Sequence, residues 1–261
     1  MKSKALSNSL KKLQTEEPGL ILEAIAEVNN LHDEITEESR YDVLSHLLSF
    51  YYIDTYEYPR LQHVVEAAID CIASFGPNTV PFLLSQIAGT DVKAQLNLAV
   101  TVGKIGKGAY EPLMAFYRNQ KDDSARAFAL YALGKIKDEC VAEAVPEIVA
   151  CLTSENKELK DTAARTIGKI AEVVNSKKVG ADLRDRIFEG IYTCLDDGYS
   201  GVRAKAARTL GKLVRFGYLS NEQKEKGKSA LTRMAGKSSK HRWDKAYIVR
   251  REAELSLRYF D

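Results

Sequence analysis

The octet Ala163-Ala164-Arg165-Thr166-Ile167-Gly168-Lys169-Ile170 returns almost letter for letter as Ala206-Ala207-Arg208-Thr209-Leu210-Gly211-Lys212-Leu213. Shorter echoes occur at Thr101-Val102-Gly103-Lys104-Ile105 and Ala132-Leu133-Gly134-Lys135-Ile136. A unit repeated along a chain constrains the fold more than any single motif does. One such unit cannot bury its apolar face alone, so the units must stack into a continuous core. With Ala73, Gly103, Gly134, Gly168 and Gly211 as equivalent positions, the steps are 30, 31, 34 and 43 residues, and the longest absorbs the polar insertion 175–180. A sixth unit emerges when 249–253 is laid on 202–206; Arg258 then stands where Gly211 stood, and the array stops. The apolar spacing is helical throughout and nothing in the pattern favours a strand. The expected fold is all-α, a right-handed α-solenoid of roughly six helix pairs. Each second helix is expected to end on its small-residue-Gly signal, and Pro81, Pro112 and Pro146 to lie early in first helices.

Three segments follow from this pattern. Residues 1–60 are helical, acidic and outside the repeat, and they read as an N-terminal cap with the first helix pair. Residues 61–218 hold the repeat array, and 219–261 a basic C-terminal capping repeat. The net charge of +2 hides an asymmetry: from Arg203 onward there are 16 Lys and Arg against 6 Asp and Glu, whereas 1–202 hold 22 against 30. Fields of opposite sign at the two ends speak to partners rather than to fold. No apolar run approaches the roughly 20 residues that cross a bilayer, and the start Met1-Lys2-Ser3-Lys4-Ala5 reads as no secretion signal. Cys71, Cys140, Cys151 and Cys194 stand far apart inside helical patterns. They read as reduced core thiols of a cytoplasmic protein.

The run Val202-Arg203-x-x-Ala206-Ala207-x-x-Leu210-Gly211-x-Leu213 resembles the second helix of a HEAT-type repeat, in the short form similar to the HEAT-like repeats of phycobiliprotein lyases. The resemblance covers roughly 61–260 and is strongest over 91–218. It implies HEAT-like helix pairs whose second helices line a concave surface. It implies little about activity, because such repeats serve scaffolds, lyase subunits and nucleic-acid enzymes alike.

On a helical wheel over 158–171, Ala163, Ala164, Ile167, Gly168 and Ile170 fall on the buried side, and Thr162, Arg165 and Lys169 on the exposed side. Carried along the array, this register predicts a concave stripe of Lys104, Phe128, Tyr131, Lys135, Arg165, Lys169, Lys205, Arg208 and Lys212, continuing to Glu252, Leu255 and Tyr259. Stacked cations beside exposed aromatic rings suit an acidic protein partner, or phosphates. The competing account is that a lysine after a helix-terminal glycine solvates the helix end and complements its dipole. A second ladder, Arg126, Lys160, Arg203 and Arg250, is expected to bond turn carbonyls or a neighbouring unit's Asp. In the basic C-terminal unit, Arg242, Trp243, Lys245 and Arg251 offer an alternative contact for nucleic acid. The plain alternative there is a solvated cap on the core.

Chemistry finds little support. Gly227-Lys228-Ser229 and Gly236-Lys237-Ser238 lack the upstream glycine of a phosphate loop, since Glu222 and Leu231 stand in its place. Four histidines without ligand spacing and no Cys-x-x-Cys predict no metal site, and no cofactor or catalytic residue is expected. Asp122-Asp123 and Asp196-Asp197 read as turn and capping residues. The deoxyhypusine hydroxylases share HEAT-like repeats but need His-Glu pairs, which this chain lacks. HEAT-like alkylpurine DNA glycosylases use a concave aspartate flanked by tryptophans, whereas the stripe as drawn contains no Asp. The expected function is a non-catalytic scaffold binding an acidic protein on its concave face. The alternatives are a DNA- or RNA-binding protein, glycosylase-like included, and a chromophore-lyase-like subunit.

Overall fold

The computed structural model describes residues 4–237 and 243–260. These residues form α-helices and short 3-10 turns, with no strand among them. The chain divides into two compact units, Met1–Phe116 and Tyr117–Asp261. The first holds α1 (Lys4–Lys12), α2 (Pro18–Asn30), α3 (Glu37–Leu48), α4 (Gln62–Ser74), α5 (Val80–Ser85) and α6 (Val92–Ile105); the division falls within α7 (Tyr110–Asn119). The second holds α8 (Asp123–Leu133), α9 (Val145–Ala150), α10 (Lys157–Ile170), α11 (Ala181–Cys194), α12 (Ser200–Arg215), α13 (Asn221–Met234) and α14 (Tyr247–Leu257). This is the all-α, repeat-stacked architecture of an α-solenoid.

Local chemistry sets the helix starts. Asp91 and Asp122 accept the third amide of α6 and α8 at 2.8 Å each. Asn156 accepts two amides of α10, and Ser220 with Gln223 forms a reciprocal capping box on α13. Pro81 and Pro146 sit in the first turns of α5 and α9, where a missing amide hydrogen costs nothing.

In the first unit α1 packs on α2, α2 on α4, and α4 on α6. The tyrosine run is split by this packing. Tyr51 is buried with its hydroxyl on Thr101, and Asn97 donates to its carbonyl at 3.1 Å, whereas Tyr52, Tyr56 and Tyr58 remain exposed.

In the second unit the second helices α8, α10, α12 and α14 stack in succession, with α9, α11 and α13 against them. The repeated glycine does two jobs. Gly134 ends α8 as expected, whereas Gly168 and Gly211 lie inside α10 and α12, not at their ends. A Cβ on Gly168 would fall 2.5 Å from Thr209 Oγ1, and one on Gly211 2.6 Å from Ser256. The glycine is there because the next second helix passes too close for a side chain. Thr166 and Thr209, each two residues before the glycine, use that proximity to donate across the seam to the carbonyls of Leu130 and Ala164, at 2.9 and 2.8 Å.

The second basic ladder does hold turns together. Lys160 pairs with Asp197 at 2.8 Å, and Arg203 grips Asp244 through two bonds while also donating to the carbonyls of Asp197 and Gly198. Arg250 donates to the carbonyls of Asp244 and Lys245. Arg126 bonds Asp123 and the hydroxyl of Tyr117.

The cysteines form no disulfide. Burial pushes the Cys71 thiol up to about 12 and the Cys194 thiol up to about 11, and it raises Cys151 as well. The thiolate is the nucleophile, so at pH 8 these three should resist iodoacetamide in the native protein. Half-exposed Cys140 should react first. Mass spectrometry of the labelled protein checks this; early modification of Cys71 would contradict the packing around it. No single helix among the described residues is long and apolar enough to cross a membrane.

Candidate functional site

The predicted stripe resolves into groups with unequal claims. Lys104 lies in the first unit and is paired with Asp70. The other members lie in the second unit. Phe128 is buried, at 8% exposure, which corrects its assignment to the exposed stripe. It stands at the edge of the arc, where turning an all-carbon ring inward gains roughly 2 kcal/mol. Glu252 is likewise buried and not exposed as the register implied. It accepts both Nε and Nη2 of Arg208, which ties that guanidinium down.

Lys169 and Lys212 converge on Glu172, at 3.0 and 2.8 Å. Burial pushes the Glu172 carboxyl up, but the two ammonium groups outweigh it and hold the carboxyl below its ordinary range. These two lysines are therefore already paired with an acid of their own chain. The remainder stays open. Arg165 lies 4.6 Å over the ring of half-exposed Tyr131, and Lys135, one turn further along, lies 5.1 Å over the same ring. Lys205 is half-buried on α12. Lys135, Arg165 and Lys205 have no ion pair among the described residues.

One residue of this surface was missed in the sequence. Asp161 lies one turn before Arg165 on α10, so the stripe does contain an Asp. Burial raises its carboxyl, opposed by the nearby charges of Lys205 and Arg165. A Cβ on Gly201 would meet its Oδ1 at 3.0 Å and the Tyr199 ring at 2.6 Å, so Asp161 sits at the first turn of α12. The readable signal was the four-residue Asp161–Arg165 spacing on one helix face.

In the C-terminal repeat Trp243 is 58% exposed, Lys245 and Arg251 are exposed, and Arg242 lies outside the described residues. Asp122 caps α8 as expected, whereas Asp197 accepts Lys160 and the Tyr199 amide instead of capping α12. Among the described residues no group of three or more His, Cys, Asp or Glu side chains converges as a metal site requires.

The family model for HEAT repeats matches residues 110–188. This segment carries HEAT repeats. Solved structures extend the likeness beyond the matched segment. Importin β in an ammonium sulfate condition superposes with a TM-score of 0.65 at 14% identity, covering 98% of this chain and 36% of its own. The complex of CpcE and CpcF of phycocyanin lyase from Nostoc sp. PCC7120 superposes with a TM-score of 0.53 at 17% identity, covering 69% of this chain and 98% of its own. At such identities the likeness concerns the HEAT-type fold alone. No curated protein matches the sequence. Tyr131 and Arg165 lie on second helices within the matched segment, and Lys205 on the next second helix beyond it.

Proposed function

We propose that this HEAT-repeat protein is a non-catalytic scaffold. Its second unit takes an acidic protein partner on the open face of α8, α10 and α12, the face expected to be concave. The observation that carries this reading is the cluster of Tyr131, Lys135, Arg165 and Lys205. It presents two cations without internal ion pairs over one half-exposed ring, with Lys205 beyond them beside Asp161. Asp161 offsets part of that charge, leaving the cluster net positive. An aromatic ring that already lies beneath two cations can lend apolar contact while the cations meet carboxylates. The four free cysteines support a reducing, cytoplasmic setting.

The test is anisotropy of a labelled decaglutamate peptide across a salt series. Lys135→Glu combined with Arg165→Glu should weaken binding at least about tenfold, the effect of ~1.4 kcal/mol, with helicity and melting unchanged. Undiminished binding by this variant would sink the reading. Arg208→Glu is a poor probe, because it would set a second carboxylate against buried Glu252 and disturb the fold itself.

A further inference from the structure

We propose that the turn before α14, with Trp243, Tyr247 and Arg250, is a stacking site for single-stranded nucleic acid, separate from the cluster on α8, α10 and α12. Trp243 and Tyr247 are 58% and 68% exposed, and they flank the guanidinium of Arg250, whose central carbon lies 4.3 Å from one ring and 5.8 Å from the other. The turn is held rigid from three sides. Arg250 donates to the carbonyls of Asp244 and Lys245 at 2.8 and 3.0 Å. Asp244 accepts Nε and Nη2 of Arg203 at 2.7 and 2.9 Å and the Ala246 amide at 2.8 Å. Its own amide donates to the Met234 carbonyl at 3.1 Å. A pre-ordered aromatic surface loses little entropy when a base lies on it.

The acids around this turn are paired: Asp244 with Arg203, Asp197 with Lys160, Asp196 with Arg233 at 3.3 Å, Glu252 with Arg208, and Glu254 with Lys237 at 3.8 Å. Lys245 and Arg251 have no ion pair among the described residues and remain available to phosphates. The preceding turn repeats the theme: Tyr199, 46% exposed, stands before α12 as Ala246 stands before α14, with Lys157 5.3 Å over its ring. Exposed rings interleaved with free cations at successive turns match the needs of a single strand, because every base offers a π face and every link a phosphate. An acidic protein would satisfy the cations but leave the rings without their best partner.

Trp243 is the only tryptophan in the chain, so its emission reports this turn. Fifteen-residue oligouridine and oligothymidine, titrated into the full chain, should quench it, with an affinity that falls steeply as salt rises. A duplex of the same length should bind more weakly, since its bases are already stacked. Tyr247→Ala with Arg251→Glu should weaken binding about tenfold or more while leaving Trp243 in place as reporter. Which of the two single strands binds more tightly separates RNA from DNA. No quenching at low salt would overturn the proposal. Equal quenching by an abasic strand or by decaglutamate would overturn it too, because neither carries a base to stack.

Discussion

Gly211→Val is expected to destabilise the second unit by about 3 kcal/mol, the upper part of the usual range for overpacking a well-packed interior. The new Cβ would lie 2.6 Å from the Ser256 Cβ and 2.9 Å from its Cα, so backbone has to move and α12 and α14 must separate. Relief of glycine's poor helix propensity returns less than ~1 kcal/mol, so the clash wins. In a stacked array each repeat leans on its neighbours only. The damage should therefore concentrate on α13 and α14, seen as faster amide exchange there before the rest of the unit opens. Gly190→Ala is the matching control: only Leu152 Cδ1, the far end of a flexible side chain, lies within 3 Å of the added carbon, and near-wild-type stability is expected. Normal exchange in α14 of Gly211→Val would mean that the two helices are not in close contact.

Arg203→Ala should cost a similar amount or more, about 3–5 kcal/mol, because it strands the Asp244 carboxylate at a site where a lone charge is poorly solvated. The two side chains are only 17% and 10% exposed. Burial pushes the Asp244 carboxyl up, but its bonds to Arg203 and the Ala246 amide outweigh that and hold it below the ordinary range. A depressed carboxyl contributes stability above its unfolded value and loses it as pH falls, here below about pH 4. Denaturant melts of Arg203→Ala, Asp244→Ala and the double variant decide the point. The double variant should lose clearly less than the two single losses combined, since it leaves no unpaired charge. Strict additivity would show that the pair contributes nothing as a pair. By contrast, the exposed pair Lys178–Glu139, 62% and 49% exposed, should contribute under ~1 kcal/mol. Loss of Arg203 should also loosen the Trp243 turn, so the seam and the proposed stacking site are mechanically linked.

Both predictions concern the seam between second helices, and it is there that the repeat had its clearest trace in the chain. Ala163-Ala164-x-x-x-Gly168 and Ala206-Ala207-x-x-x-Gly211 announced small residues on one helical face, and hence close stacking. The ladder of Arg126, Lys160, Arg203 and Arg250 announced bonds to turns. What the pattern left open was which glycine ends a helix, as Gly134 does, and which marks a contact, as Gly168 and Gly211 do. The same letter serves as a helix terminator or as a contact point, and only a neighbouring helix 2.5 to 2.6 Å from the absent Cβ separates the two.

The candidate site was legible to a lesser degree. Helical register drew Tyr131, Arg165 and Lys205 into one stripe, and all three are half-exposed on neighbouring second helices. It misplaced Phe128 and Glu252 and passed over Asp161, because a wheel describes one isolated helix. Whether an edge residue is covered depends on what lies across from it.

Periodicity by itself determined that this chain stacks helix pairs, since residues at a repeating spacing must bury the same face each time whatever the partner. Tertiary structure alone decided which cations are occupied. Glu172 reaches Lys212 and Lys169, Glu252 reaches Arg208, and Asp70 reaches Lys104. Apart from the local Lys169–Glu172 pair, these meetings join residues 34 or more positions apart. Coulomb attraction in a folded protein acts across a few ångströms of space, a separation that sequence distance does not report.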